Sequence, residues 1–366
     1  MTKTTQYGII GCGMMGQEHL RNIALLPSTN VAAIFEPDAD MAAIAVGLAP
    51  QARLCDSLDE LLAVEELDCL VIVSPNYCHM DQLEMIAMRR PLPVLVEKPL
   101  FTNPADVGRL KAFQESYPAP VWVAMEYRFM PPVAALREAV DAATGGIKML
   151  SIREHRFPFL SKVGDWNRFN AKSGGTFVEK CCHFFDLMRL LTKSEPVRVM
   201  ASAAQDVNHL AETYEGQPSD ILDNGYVIVD FANGMRAMLE LCMFAEGARY
   251  QEEITAVGPD GKIEALVPGP GRFWPAHLGS APIPLVITSP RDPRGPQTRE
   301  FPVDPTLLEA GDHNGSTFYQ HEGFLALVRG ERSRPAVSLE DGWKAVEMGL
   351  AAQKSALTGQ AVSLQV

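Results

Sequence analysis

The stretch "YGIIGCGMMGQEHL", residues 7–20, decides how the chain is read. A short apolar run, suited to a strand, passes directly into Gly11, Gly13 and Gly16 and then into helical spacing. In a strand–turn–helix unit the three glycines have separate jobs. The first makes the sharp turn, the second lets backbone approach a pyrophosphate, and the third lets helix and strand pack closely. The helix that follows opens with N–H groups lacking helical partners, which favours an anion there. Met14 and Met15 open that helix and are expected beside such a ligand. The spacing by itself also fits a tight turn that binds nothing.

The surroundings of the loop strengthen the ligand reading. The run "VAAIFE" ends at Glu36, about 20 residues beyond the glycines, where a carboxylate accepts from the hydroxyls of an adenosine ribose. It would repel a 2′-phosphate, so NAD is favoured and NADP remains possible, with Arg53 within reach of such a phosphate. Asp38 either shares this role or starts the next helix. Further apolar runs follow as "CLVIVS" (69–74), "PVLVE" (93–97) and "VWVAME" (121–126), with helical spacing at 14–26 and 80–90. Strands apolar on both faces and separated by helices predict a parallel sheet covered on both sides. Ser57 and Glu60 read as a capping box. Ser74 and Asn76 follow a strand at its C-terminal end, where such sheets border the ligand crevice. His79, just beyond, caps the next helix, faces the crevice, or sits on the helix surface.

The pattern changes near Tyr127. Longer alternating strands appear in "KMLSIREHRF" (148–157) and "GYVIVDFANGMRAMLELCMF" (225–244), the latter with an Asn233-Gly234 hairpin signal. Asp260-Gly261 repeats that signal. The reading is α/β overall: residues 1–126 form an N-terminal Rossmann parallel sheet, and residues 127–366 form an α+β domain with a large antiparallel sheet. Residues 267–305, rich in Pro and Gly, are expected to be an irregular insertion. Residues 339–357 read as a helix.

Bulk properties bound the partners. With 366 residues and 47% hydrophobic content, the chain can bury two cores. Its net charge of −13 argues against nucleic acid and anionic membrane surfaces as partners. Seven cysteines without CxxC spacing favour reduced thiols in a cytoplasmic protein. No signal peptide and no membrane-length apolar run are apparent. No metal site is expected: Cys181, Cys182 and His183 are adjacent, so on a helix they point about 100° apart and do not share one ion.

The run "VLVEKPL", residues 94–100, ends a strand of the parallel sheet with Glu97, Lys98 and Pro99. Its end opens at the same crevice, near the nicotinamide of a bound dinucleotide. Pro99 stops the strand, and a cis bond there would aim Lys98 sharply. Lys98 either stabilises alkoxide or relays a proton, or it is a surface lysine paired with Glu97.

The glycine loop, the acidic end of the second apolar run, "EKP", the second antiparallel domain and the ending "RPAVSLEDGWKAVEMGLAAQKSALTGQAVSL" together resemble the Gfo/Idh/MocA oxidoreductases, the glucose–fructose oxidoreductase and inositol dehydrogenase family. The resemblance runs over nearly the whole chain. It implies that Lys98 is catalytic. The family's other signature appears as "SGGTFVEKCCHFFDLM" (173–188), where His183 matches the histidine that takes the hydroxyl proton. Glu179 stands where the family usually has Asp. Glu179, His183 and Asp186 share one face if the segment is one helix, and Asp186 is placed to orient or charge-balance His183. Thr176 and Glu179 also spell a capping box, which leaves Glu179 either a catalytic group or a cap.

Trp166 and Asn167, in a polar loop with Arg168, resemble a substrate-binding loop. Tyr127 and Arg128 are expected near cofactor and substrate. His313, with Asn314 and Tyr319, is a further candidate for substrate hydroxyls, and His155 is structural or at the pocket wall. The resemblance implies an NAD(P)-dependent dehydrogenase of a sugar, inositol or related polyol, assembled as a homodimer or homotetramer. The alternatives are an NAD-dependent glycoside hydrolase and a non-enzymatic sensor of NAD and a sugar.

Overall fold

In the computed structural model, which describes residues 3–365, the chain forms two units. One comprises the chain through Glu126 together with Ser161–Gly174 and Thr317–Val346. The other comprises Tyr127–Leu160, Gly175–Ser316 and the residues from Glu347 onward.

The first unit follows the apolar runs. Its elements begin β1 (Thr5–Ile10), α1 (Met14–Ala24), β2 (Thr29–Phe35), α2 (Ala39–Leu48), β3 (Arg53–Cys55) and α3 (Leu58–Leu62). They continue with β4 (Cys69–Ile72), α4 (His79–Arg89), β5 (Val94–Val96), α5 (Asp106–Ser116) and β6 (Val121–Val123). The strands pair in parallel in the order β3-β2-β1-β4-β5-β6. Ile9, Ile72, Leu95 and Val96 are wholly buried, as a sheet covered on both faces requires. The order reverses between β1 and β4, so the crevice of such a sheet lies outside the C-terminal ends of these strands. β3 has no counterpart among the apolar runs, because it is a three-residue edge strand whose Arg53 and Leu54 face solvent. The capping box at Ser57 is half made: Ser57 accepts the Glu60 N–H at 3.1 Å, but the Glu60 carboxylate accepts from Asp56 N–H at 2.9 Å.

The chain continues through α6 (Pro131–Thr144), β7 (Met149–His155), α7 (Asn170–Ser173), α8 (Thr176–Glu179), α9 (Cys182–Thr192) and β8 (Pro196–Ala204). A two-residue ribbon, β9 (Thr213–Tyr214) and β10 (Gln217–Pro218), precedes β11 (Asn224–Phe231) and β12 (Arg236–Cys242). Then come β13 (Glu252–Val257), β14 (Gly261–Val267), β15 (Leu285–Pro290), β16 (Gln297–Glu300), α10 (Pro305–Ala310), α11 (Ser316–Val328), α12 (Leu339–Thr358) and β17 (Val362–Ser363).

The second unit is built on a nine-stranded sheet ordered β16-β15-β14-β13-β7-β12-β11-β8-β17. It is antiparallel except for the parallel pair β7 and β12. The Asn233-Gly234 hairpin forms, with Gly234 left-handed at φ 82°. Burial alternates along β11: Val227 and Val229 face inward, Tyr226 and Ile228 outward. On the outer face Met200, Ile228 and Met238 stand opposite one another across β8, β11 and β12. The expectation of an irregular insertion at 267–305 is corrected: the segment supplies β15 and β16, which extend the sheet from β14. The prolines and glycines around these short strands hid them. The signature helix is also corrected. It breaks between Glu179 and Cys182 into α8 and α9, so Glu179 and His183 do not lie on one continuous helix.

Residues 317–346 complete the first unit at β6. A side chain at Gly323 would meet the Trp122 ring at 2.7 Å, and one at Gly342 would meet Val123 at 2.9 Å, so both glycines allow close packing. Val123 N–H donates to the Val337 carbonyl at 3.3 Å.

Candidate active site

The glycine loop has the shape its sequence requires. Gly11 is left-handed at φ 90°, and a Cβ on it would lie 2.6 Å from the Ser74 nitrogen. A Cβ on Gly16 would lie 2.5 Å from the Gly11 carbonyl oxygen. At Gly13 a Cβ would meet nothing within 4 Å, and no side chain caps α1. This open backbone at a helix N-terminus, beside exposed Met14 and half-buried Met15, fits a pyrophosphate. Glu36 lies just past β2, accepting from Cys12 N–H at 2.5 Å and from Asp38 N–H at 2.9 Å. Burial, and then this carboxylate, push the Cys12 thiol up to about 12. Asp38 caps α2 through Asp40 and Met41 N–H, the helix-start alternative. Arg53 is engaged by Glu60 on the same edge.

The turns after β4 and β5 are fastened from inside. Ser74 Oγ donates to Gln82 Oε1 at 2.6 Å, and the Asn76 amide donates to the Ser173 carbonyl at 3.1 Å. The segment holding Ser173 also brings Trp166 edge-on to Tyr77, ring centroids 6.3 Å apart. Trp166, Asn167 and Arg168 are buried there. His79 is wholly buried, not on a helix surface. Its Nδ1 is 2.8 Å from the Pro99 carbonyl and its Nε2 is 3.0 Å from the Ser74 carbonyl. Burial holds His79 below the ordinary histidine range. Lys98 is half-exposed, and its bond to Pro99 is cis. Glu97 is interior, which removes the surface-pair alternative: one carboxylate oxygen is 3.0 Å from His19 Nε2 and the other accepts Lys98 N–H at 3.2 Å.

In the second unit His183 is almost fully buried, and its imidazole lies flat on the Tyr127 ring, centroids 4.1 Å apart and planes 4° from parallel. Behind the stack is a buried charge network. Lys180 Nζ donates to Tyr127 Oη at 2.5 Å and lies 2.8 Å from the Glu154 carboxylate. Tyr127 Oη donates to Glu252 at 3.3 Å, and Gln251 donates to the same oxygen at 2.6 Å. Arg156 stands 3.6 Å from Glu154. Burial, then Arg156, lower the Lys180 ammonium. Burial, then Glu154, push the Glu252 carboxyl up to about 7. The His313 ring is 6.1 Å from Tyr127.

Two expectations here change. Asp186 directs both carboxylate oxygens to the buried Arg128 guanidinium, 2.6 Å from Nε, so the charge it balances is that of Arg128. The Thr176 capping box is absent: Gly175 is the N-cap, and the Thr176 hydroxyl donates to the Leu222 carbonyl at 2.6 Å. Glu179 is buried at the end of α8. His155 is 3.0 Å from Glu240, and Asn314 donates to the Pro268 carbonyl at 3.1 Å.

Gly11, Gly13, Gly16, Glu36, Ser74, Asn76, Glu97 and Lys98 therefore gather at the C-terminal edge of one sheet. Tyr127 and His183 gather in the other unit. Sequence reasoning missed His19, His321, Lys180, Glu154 and Glu252. Their one signal was a titratable residue at a position patterned as buried.

A parallel sheet of this order, with this loop at its switch point, defines a dinucleotide-binding oxidoreductase fold joined to a large-sheet α/β unit. The family model for the Gfo/Idh/MocA oxidoreductases' NAD-binding Rossmann fold matches residues 5–125, and the model for their C-terminal alpha/beta domain matches residues 137–364. The chain belongs to this family. Among its relatives, an inositol 2-dehydrogenase of Rhizobium meliloti strain 1021 is 28% identical over 264 residues, covering 72% of this chain and 76% of that one. The rhizopine catabolism protein MocA of Rhizobium meliloti is 26% identical over 271 residues, covering 73% and 78%. GenD2 from gentamicin A biosynthesis, solved in complex with NAD, superposes with a TM-score of 0.79 at 20% identity, covering 100% of this chain and 98% of that one. At that identity the likeness shows the fold. Among the described residues, no helix is long and apolar enough to cross a membrane.

Proposed function

We propose that this oxidoreductase is an NAD-dependent dehydrogenase of a sugar, inositol or related polyol. The observation that carries the reading is the turn after β5: a half-exposed lysine at the C-terminal edge of a dinucleotide-binding sheet, its neighbours Glu97 and Pro99 held by buried groups. The open backbone at Gly13 and the Glu36 carboxylate would hold the dinucleotide. When bound, its nicotinamide accepts or returns a hydride.

The chain's own groups supply the rest. His183 takes the proton of the hydroxyl being oxidised. The flat contact with Tyr127 fixes the plane in which the imidazole presents its nitrogens. The Lys98 ammonium stabilises the negative charge that develops on the oxygen. Trp166, Asn167, Glu179 and His313 are the side chains proposed to sort one polyol from another. The names of the inositol 2-dehydrogenase relatives support the substrate class.

The test is a panel of inositols, aldoses and linear polyols with NAD, read at the reduced-nicotinamide absorbance. Net NADH from at least one cyclitol or sugar is expected. Bond cleavage in a glycoside without net NADH would replace this reading with the hydrolase.

A further inference from the structure

Lys98 stands between two residues that are both tied down from the interior. On one side is Glu97, on the other Pro99 with its carbonyl against His79. The tie to Glu97 is longer than one contact. His19, in α1, is wholly buried, with Nε2 3.0 Å from Glu97 Oε1 and Nδ1 2.7 Å from His321 Nε2. The two imidazoles meet edge to face, centroids 4.9 Å apart, and His321 is also wholly buried.

The geometry assigns the proton at Glu97. An ionised carboxylate only accepts, so His19 donates from Nε2 to Glu97. His19 Nδ1 faces His321 Nε2 in the second contact. His321 Nδ1, on the far side of that ring, is buried and has no hydrogen-bond partner among the described residues. Burial, then His19, hold His321 well below the ordinary histidine range. Burial pushes Glu97 up, but the hydrogen bond and charge of His19, with Lys98, carry it below the ordinary carboxyl value. These directions agree with a neutral His321 and an ionised Glu97. At its far end Glu97 Oε2 accepts the Lys98 main-chain N–H at 3.2 Å.

We propose that His19 is a positioning residue for Lys98, acting through Glu97 and backed by His321. α1 follows the turn of Gly11 and Gly13 and carries Gly16 in its first turn. The buried chain therefore sets the lysine turn in register with the helix that meets the dinucleotide. Its effect on turnover rests on the reading of Lys98 given above; its effect on the placement of Lys98 does not.

The experiment uses the full chain with NAD. His19→Leu removes the donor, and His19→Gln restores an amide N–H at similar reach. The direct readout is the rate at which an amine-acylating reagent labels Lys98, measured by mass spectrometry against the other lysines. A several-fold change confined to Lys98 is expected in His19→Leu, with recovery in His19→Gln. With a substrate from the panel, kcat should fall about ten- to hundredfold in His19→Leu, the scale of a misplaced catalytic group. KM and NAD affinity should stay within about twofold of the parent, since uniform binding is untouched. Unchanged Lys98 labelling in a folded His19→Leu overturns the proposal whether or not a substrate is found. So does a change that His19→Gln fails to recover. If His19→Leu does not fold, Glu97→Gln is read in the same way, because its amide N–H must face one of two donors; unchanged labelling there also overturns it. If no panel member reacts while Lys98 labelling responds as stated, the substrate reading fails and the positioning role stands.

Discussion

The Tyr127 ring and the His183 imidazole are stacked 4.1 Å apart and within 4° of parallel, and the Tyr127 hydroxyl reaches away from the stack to Lys180 and Glu252. The ring is thus held by its own polar end, and the histidine by the ring. Tyr127→Phe keeps the stack and leaves Lys180 one partner short. It should lower Tm by an amount matching the ~1–3 kcal/mol cost of an unmet buried polar group and lower kcat modestly. Tyr127→Leu should lower kcat much further. Equal kcat in the two variants would show that the stack does not place His183.

Lys98→Ala and His183→Ala should each cut turnover by roughly a hundredfold or more, the usual scale for a positioned acid–base group. Calorimetric titration should give each variant nearly parental NAD affinity. Near-parental turnover in either would remove that residue from the mechanism.

Glu36 presents a carboxylate beside the glycine loop, 2.5 Å from Cys12 N–H. NAD should bind about tenfold or more tightly than NADP, because a 2′-phosphate would face a like charge. Glu36→Ser should narrow the gap. Tighter NADP binding by the parent would sink this account of the carboxylate.

Glu252 gives stability a particular dependence on pH. Its ordinary value is 4.5, and in the folded chain it is pushed up to about 7. Between these values the folded state holds a proton that the unfolded state has released. Stability from this group is therefore present below the lower value and falls as pH rises through the upper one. At about 1.4 kcal/mol per pKa unit the loss is a few kcal/mol at most. Glu252→Gln should match the parent Tm near pH 5 and exceed it near pH 8, the two sides of that window. A parallel pair of Tm curves would refute it.

The outer face of the large sheet carries Met200 and Ile228, each 44% exposed, beside Met238 at 36%. A row of apolar side chains on a sheet face is an association surface. Sedimentation of the parent at micromolar concentration should show a dimer or tetramer, and Ile228→Lys should shift it toward monomer. A monomeric parent would exclude this face as an interface.

The parts of the molecule legible in the sequence are those whose chemistry is local. Gly11, Gly13 and Gly16 announce a turn, and Glu97-Lys98-Pro99 ends a strand within three residues. The charge network under His183 is not local. Glu154 and Glu252 pair as partners across β7 and β13, nearly 100 residues apart in the chain, and nothing near either one predicts the other. His19 looked like an ordinary helix residue because its partners are at 97 and 321. The break between α8 and α9 escaped because Cys181 and Lys180 carry no breaker signal. β3 and β16 escaped because exposed edge strands lack the apolar pattern that reveals a strand.

The packing of Gly323 and Gly342 against Trp122 and Val123 bears on how this protein is made. A ribosome that has released the first 126 residues has released all six strands of the parallel sheet, but not the segment that lies along β6. That segment emerges some 190 residues later, after the whole nine-stranded sheet except β17. At bacterial or eukaryotic synthesis rates of about 5–20 residues per second the delay is on the order of ten seconds or more. For that interval the nascent sheet has an open edge strand, a ready template for pairing with another chain. The last part of the dinucleotide-binding unit to be synthesised is thus the part that closes it.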